Sequence, residues 1–178
     1  MSANNPIFRK NKNFDEAVPF DILKPEHFLP AIKESIKIAK LSIEDISCSS
    51  EAPTFDNTIL ALENLSEHLD IATSAYYHLF SSEANKEIED LSQKISPMMA
   101  NFSNDIYLDD SLFDRISEVK DNNKNLDKEK RRLVEIYYKR FVRNGSKLND
   151  KNKKVLREID VELSSLSPKF SSNVRKST

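Results

Sequence analysis

Apolar residues recur along this chain at steps of three and four. From Pro25 onward, Phe28, Ile32, Ile36, Ala39, Ile43 and Ile46 fall on one stripe, and Lys33, Glu34, Lys37 and Lys40 fall largely toward water. That spacing predicts an amphipathic helix with one buried face. Its mouth, "PFDILKPEHFLPAIKESI", carries Pro25 and Pro30 near the first turn, where backbone N–H groups lack intrahelical partners, so Glu26-His27 reads as part of a helix start. A Ser-rich linker then leads to Thr54, a candidate N-cap for a second helix of roughly 25 residues, close to 40 Å by its rise, with Ile59, Leu62, Leu65, Leu69, Ala72, Tyr76 and Leu79 as its stripe.

A third helix runs from about Asn85 with Ile88, Leu91, Ile95, Met98, Phe102 and Ile106 inward, and Pro97 in its middle predicts a kink. Asp109 or Asp110 can cap a fourth, which carries Leu112, Phe113, Ile116 and Val119. A fifth begins near Asp127, uses Leu133, Ile136, Tyr137 and Phe141, and stops at Asn144-Gly145, where a left-handed C-terminal residue is wanted. A sixth starts near Asn149 or Asp150 and is expected to bury Val155, Ile159, Leu163, Leu166, Phe170 and Val174, with no stop signal before Thr178. The predicted fold class is all-α, about six helices in antiparallel hairpins, because the segments differ too much in length and pattern to be one repeated unit.

Composition sharpens this picture. The chain of 178 residues contains one glycine and no tryptophan, and tight strand turns and phosphate-cradling loops both lean on glycine. Charged residues make up 31% with a net charge of −2, which gives no general preference for nucleic acid or anionic membrane. Cys48 is alone and cannot form an internal disulfide. No apolar run reaches the length of a signal-peptide core or a membrane span, and a cytoplasmic setting without membrane partners is expected.

Candidate chemistry is sparse. A zinc peptidase of the common kind needs His-Glu-x-x-His, two histidines one helical turn apart with a general-base glutamate beside the first. Here His27, His68 and His78 are followed by Phe28, Leu69 and Leu79. The inverted His-x-x-Glu-His is approached at "NLSEH", where Glu67-His68 are in place and Asn64 stands at the first ligand position. His68 and His78, ten residues apart on the second predicted helix, are turned about 80° from each other and would not share a metal. Glu63 and Glu67 have acid/base spacing, as any polar helix face supplies. From Lys128 to Arg143 seven bases face two acids, with Tyr137, Tyr138 and Phe141 among them. Since Tyr137 and Phe141 lie on that helix's own apolar stripe, a solvated face or an intramolecular partner for acids is the better reading, and no nucleic-acid partner is expected.

Five stretches in order carry a resemblance: "PFDILKPEHFLPAIKESI", "APTFDNTILALENL", "SPMMANFSNDIYLDDSLFDRI", "RRLVEIYYKRFVRNGSKLND" and "LSSLSPKFSSNV". Together, from about Asn5 to Thr178, they resemble the N-terminal region of the oligopeptidase A and dipeptidyl carboxypeptidase branch of the thimet oligopeptidase family of zinc metallopeptidases. Pro168 departs from the family pattern. The resemblance implies the N-terminal helical lobe of the neurolysin-like zincin fold, a non-catalytic lobe forming one wall of a channel that admits short peptides. The family's zinc ligands and general base lie far downstream, so no residue here is assigned as catalytic, cofactor-binding or metal-ligating. Zinc belongs to the full-length family, and this chain alone should be inactive.

The expected organisation is an extended lead over 1–24 and a helical lobe over 25–178 that ends inside an unfinished helix, with the catalytic domain absent. Its expected partners are the missing C-terminal catalytic lobe, which should cover Phe170 and Val174, and, in the full-length enzyme, short peptides. The alternative is a stand-alone helical scaffold or interaction protein derived from that lobe.

Overall fold

The computed structural model describes residues 5–9, 17–83 and 85–177. Among these, all regular structure is helical: α1 (Pro25–Ser47), a π-helical turn (Phe55–Leu60) running into α2 (Ala61–Glu63), α3 (Glu67–Ser82), α4 (Lys86–Tyr107), α5 (Asp110–Asp121), α6 (Lys128–Arg143) and α7 (Asp150–Ser177). Short 3-10 turns occupy Pro6–Phe8 and Phe20–Ile22 of the lead, the rest of which lies partly outside the described residues, as does Thr178.

Local side-chain chemistry explains where the helices start. Thr54 Oγ1 accepts the Asn57 N–H at 3.1 Å while Asn57 Oδ1 accepts the Thr54 N–H at 2.8 Å, a reciprocal capping box. Asn85, Asp109, Asp127 and Asn149 each accept the N–H three residues on, at 2.8–2.9 Å. Such caps satisfy donors that the first helical turn leaves orphaned. At the α6 end, Gly145 adopts φ 97°, and a Cβ there would stand 2.6 Å from Leu156 Cδ2 and 3.1 Å from Leu148 Cδ1. The only glycine is thus favoured by conformation, and any side chain there would also have to push leucine methyls aside.

The chain divides into two compact units, residues 1–39, 66–99 and 162–178 in one and residues 40–65 and 100–161 in the other. In the first, Phe28, Ile32, Ala72, Tyr76, Ile88 and Ile95 are buried, and Tyr76 sets its ring edge-on to Phe28 and donates its hydroxyl to the Ile88 carbonyl at 2.9 Å. In the second, α5 and α6 form a hairpin packed on the π-helical turn. Leu112, Ile116, Val134 and Phe141 are fully buried or nearly so, and the Phe141 ring lies 5.1 Å from Tyr107.

Three expectations need correcting. The long second helix is broken at Asn64–Ser66, and its first turn is π-helical rather than α. Asn64 and Ser66 carry short polar side chains that compete with the helical ladder, and the helix restarts at Glu67 with Ser66 Oγ donating to Asp70 Oδ2 at 2.9 Å. In α6, Val134 is the fully buried aliphatic residue, while Leu133, Ile136 and Tyr137 are half-buried.

The third correction concerns α7. Val155, Ile159, Leu163 and Leu166, expected inside, are 47–55% exposed, while Phe170 and Val174, expected to find no cover within this chain, are 72% and 50% exposed. The covered face is instead made of Lys153, Leu156, Arg157, Asp160, Val161, Ser164, Ser165, Pro168, Ser171 and Ser172. The cations at the start of that face find acceptors, Lys153 at the Leu108 carbonyl and Arg157 at Asp105. The helix therefore turns inward a mixed face, in which Leu156, Val161 and Pro168 stand among polar and small residues. It runs through Pro168, as α4 runs through Pro97 and α1 through Pro30.

Candidate functional site

The three histidines and the cysteine have separate surroundings. His27 lies in the third helical position of α1, where its Nδ1 accepts the Lys24 N–H at 3.0 Å, so Glu26-His27 is helix-start hardware. His68 packs edge-on against Phe8 with ring centroids 5.4 Å apart, and His78 leans on Phe20 at 5.5 Å. Cys48 is exposed. Glu63 and Glu67 no longer share a helix, since the Asn64–Ser66 break falls between them. Nowhere among the described residues do three or more His, Cys, Asp or Glu side chains converge on a point that could hold a metal. These residues do not fit a zinc ion.

The polar groups that do converge act as struts. Asp105 takes Lys40 Nζ at 2.6 Å and Arg157 Nη1 at 2.7 Å, while Arg157 Nη2 donates to the Asn104 carbonyl at 3.2 Å. Burial pushes the Asp105 carboxyl up, but the hydrogen bonds and charges of Lys40 and Arg157 outweigh it and hold the group below its ordinary range. Lys153, buried, donates to the Leu108 carbonyl at 3.2 Å and pairs with Asp110.

Arg115 is the least expected of these groups. It is buried, and its guanidinium donates to the Ser49 and Glu51 carbonyls, each at 3.0 Å, and to Asn57 Oδ1 at 3.2 Å. It pins the α1–π-turn linker to the turn itself. Nothing in the sequence pattern singled it out, since its place on α5 next to Ile116 reads as a boundary position. The Tyr76 and Tyr137 hydroxyls are pushed well above the ordinary tyrosine range by burial first, with the Glu63 carboxylate adding to the effect at Tyr137.

Four of the seven bases of α6 make contacts within the fold. Arg132 and Lys139 reach Glu135 at 3.7 and 3.8 Å, Lys130 lies over the Phe55 ring, and Arg140 lies over Tyr137. Lys120 and Lys147 both approach the Tyr138 face, at 4.7 and 5.4 Å. Such contacts are those of a solvated face with stems laid on aromatic rings.

One cleft stands out, a hollow of about 490 Å³ in the first unit lined by Val18, Phe20, Asp70, Ile71, Ser74, Ala75 and His78. Its walls are mainly apolar. Asp70 and His78 are eight residues apart on α3, about 12 Å along the axis, too far for an acid/base pair. The lining brings together no nucleophile–base pair, and among the described residues no cluster forms a metal cradle.

No family model matches the chain. Among curated proteins it is 33% identical to the dipeptidyl carboxypeptidase of Escherichia coli (strain K12) over 172 residues, which is 96% of this chain and 25% of that protein. It is 27% identical to the oligopeptidase A of Haemophilus influenzae over 180 residues, 100% of this chain and 26% of the relative. A probable cytosolic oligopeptidase A of Arabidopsis thaliana is 28% identical over 182 residues, with 25% of its length covered. The homologues of this chain are peptidases, and it spans about a quarter of the length of the relatives it matches.

Proposed function

We propose that this chain serves as the non-catalytic N-terminal lobe of a zinc-dependent oligopeptidase or dipeptidyl carboxypeptidase, forming one wall of a channel that receives short peptides. The carrying observation is the match itself, in which nearly the whole chain aligns to a quarter of dipeptidyl carboxypeptidase. In this reading the zinc ligands and the general base lie in the remaining three quarters of such an enzyme, and α1 to α7 supply shape and support. Helices with capped starts, tied together by the Asp105, Lys153 and Arg115 bonds, suit a wall, which must hold its form while peptides pass. No helix among the described residues is long and apolar enough to cross a membrane, and we place the lobe in the cytoplasm.

A chimera tests the proposal. The quarter of Escherichia coli dipeptidyl carboxypeptidase that matches this chain is replaced by the chain, and dipeptide release from a short blocked peptide is followed. The expected result is zinc-dependent release that the 178-residue chain alone does not show. A folded chimera without activity refutes the reading.

A further inference from the structure

The single glycine follows an asparagine, so Asn144-Gly145 is the only Asn-Gly pair in the sequence. An asparagine side chain is open to attack at its amide carbon by the backbone nitrogen of the next residue, and a next residue without Cβ leaves that approach clear. Asn144 is exposed at the C-terminal end of α6, and Gly145 is buried. Three bonds hold the groups that would react or turn. Asn144 Nδ2 donates to the Arg140 carbonyl at 2.8 Å, the Gly145 N–H to the Val142 carbonyl at 3.3 Å, and the Ser146 N–H to the Phe141 carbonyl at 3.1 Å. At ψ 15° for Asn144 the Gly145 nitrogen also points away from the Asn144 Cβ. Attack therefore requires this peptide to rotate and the cap to open.

We propose that Asn144-Gly145 is a self-modification site, which deamidates with water as its only co-reactant and is gated by opening of the α6 cap. In the open cap the Gly145 nitrogen loses its proton to solvent and bonds to Asn144 Cγ. The Cγ–Nδ2 bond breaks, and the amide nitrogen takes a proton from water and leaves as ammonia. Water then cleaves the five-membered imide at one of its two carbonyls. One cleavage gives an ordinary aspartate, and the other gives an isoaspartate, whose backbone runs through the former side chain and is longer by one methylene. The sum is one water consumed and one ammonia released, with no oxidation or reduction. Both products weaken the cap. Each lacks the Nδ2 donor to the Arg140 carbonyl and sets a negative charge at a helix C-terminus, where the carbonyls already carry partial negative charge. The longer backbone also has little room, because a Cβ on Gly145 would stand 2.6–3.2 Å from methyls of Leu156, Leu148 and Leu108. Conversion thus carries the α6 end from closed to open and does not reverse.

The experiment follows the 178-residue chain in mildly alkaline buffer, folded and, in parallel, unfolded in urea. Peptide mapping by mass spectrometry reads conversion at each asparagine with time and separates isoaspartate from aspartate by fragmentation. In urea, Asn144 is expected to convert about tenfold faster or more than Asn122, Asn149 or any other asparagine, since only Asn144 precedes a residue without Cβ. In the folded chain it is expected to convert still, about ten- to three-hundredfold more slowly than in urea, as for a group reached only through local opening of a helix end. Leu156→Ala removes the methyl nearest the Gly145 Cα face. It should speed conversion in the folded chain by about threefold or more, by easing that opening, and leave the rate in urea unchanged.

Conversion of Asn144 in urea no faster than that of the other asparagines overturns the proposal. Equal rates in the folded and unfolded chain overturn it as well, because the cap is then no gate. So does a folded chain that stays unmodified while the urea sample converts to completion, because the site is then out of reach in the native protein. A folded Leu156→Ala variant with the parent's rate places the gate elsewhere and counts against the proposal too. If that variant fails to fold, the two rates of the parent chain decide.

Discussion

Arg115→Met tests the claim that a buried guanidinium fixes the linker after α1. In the folded chain the side chain makes two 3.0 Å bonds to the Ser49 and Glu51 carbonyls and a 3.2 Å bond to Asn57 Oδ1. Hydrogen bonds to a charged group contribute about 1.5–3 kcal/mol each. Against them stands the cost of removing a guanidinium from water, several kcal/mol when no carboxylate accompanies it, and no carboxylate lies among the contacts described for Arg115. Methionine relieves that penalty and keeps most of the apolar volume. The Ser49 and Glu51 carbonyls are near enough to solvent to find water, and Asn57 Oδ1 retains the Thr54 N–H and the Thr58 hydroxyl. The balance is a net loss of about 2–4 kcal/mol, which at this chain length lowers Tm by about 10 °C. Urea unfolding followed by circular dichroism measures the loss, and hydrogen exchange should show faster opening around residues 52–57 than elsewhere. A variant as stable as the parent, with that linker still protected, would show that desolvation cancels the bonds and that the linker is held by packing alone.

Gly145→Ala meets both a positive φ and Leu156 Cδ2 at 2.6 Å, so it should cost about 1–3 kcal/mol; a melt within 1 °C of the parent would contradict this. The Asp105 carboxyl is held below its unfolded value of 3.8, so its contribution is fully present above about pH 4 and is lost as pH falls through the lower folded value. Its partners are partly exposed, which keeps that contribution near 1 kcal/mol or below. Asp105→Asn should therefore narrow the stability gap between pH 6 and pH 3, and an unchanged gap in urea midpoints would assign the acid sensitivity elsewhere. The 178-residue chain should neither cleave a quenched oligopeptide nor retain stoichiometric zinc, and chelator-sensitive cleavage with about one zinc per chain would refute that expectation.

Helix existence and helix starts were legible in the sequence because both rest on short-range chemistry. Thr54, Asp109 and Asp127 cap where their side chains reach a donor three residues away, and Gly145 stops α6 at a positive φ that a side chain would strain. The break at Asn64–Ser66 was missed because the apolar period continues through Leu62, Leu65 and Leu69, and periodicity cannot register a local competitor for the backbone. Arg115 was missed for a related reason: its acceptors are 57–66 residues away, and two of the four are backbone carbonyls, which have no residue type to read.

The α7 stripe shows a deeper limit. A period of 3.6 shows that one face is apolar, but which face is covered depends on what the other elements offer. Here the covered side repeats Ser164, Ser165, Ser171 and Ser172 at helical spacing, a small-residue pattern that the sequence displays and that an apolar count passes over. A helix with two usable faces, one small and one apolar, can be packed on both sides. The apolar period of α7 therefore identifies a face without saying whether the fold covers it, and the exposure of Val155, Ile159, Leu163 and Leu166 follows from the choice of the other side.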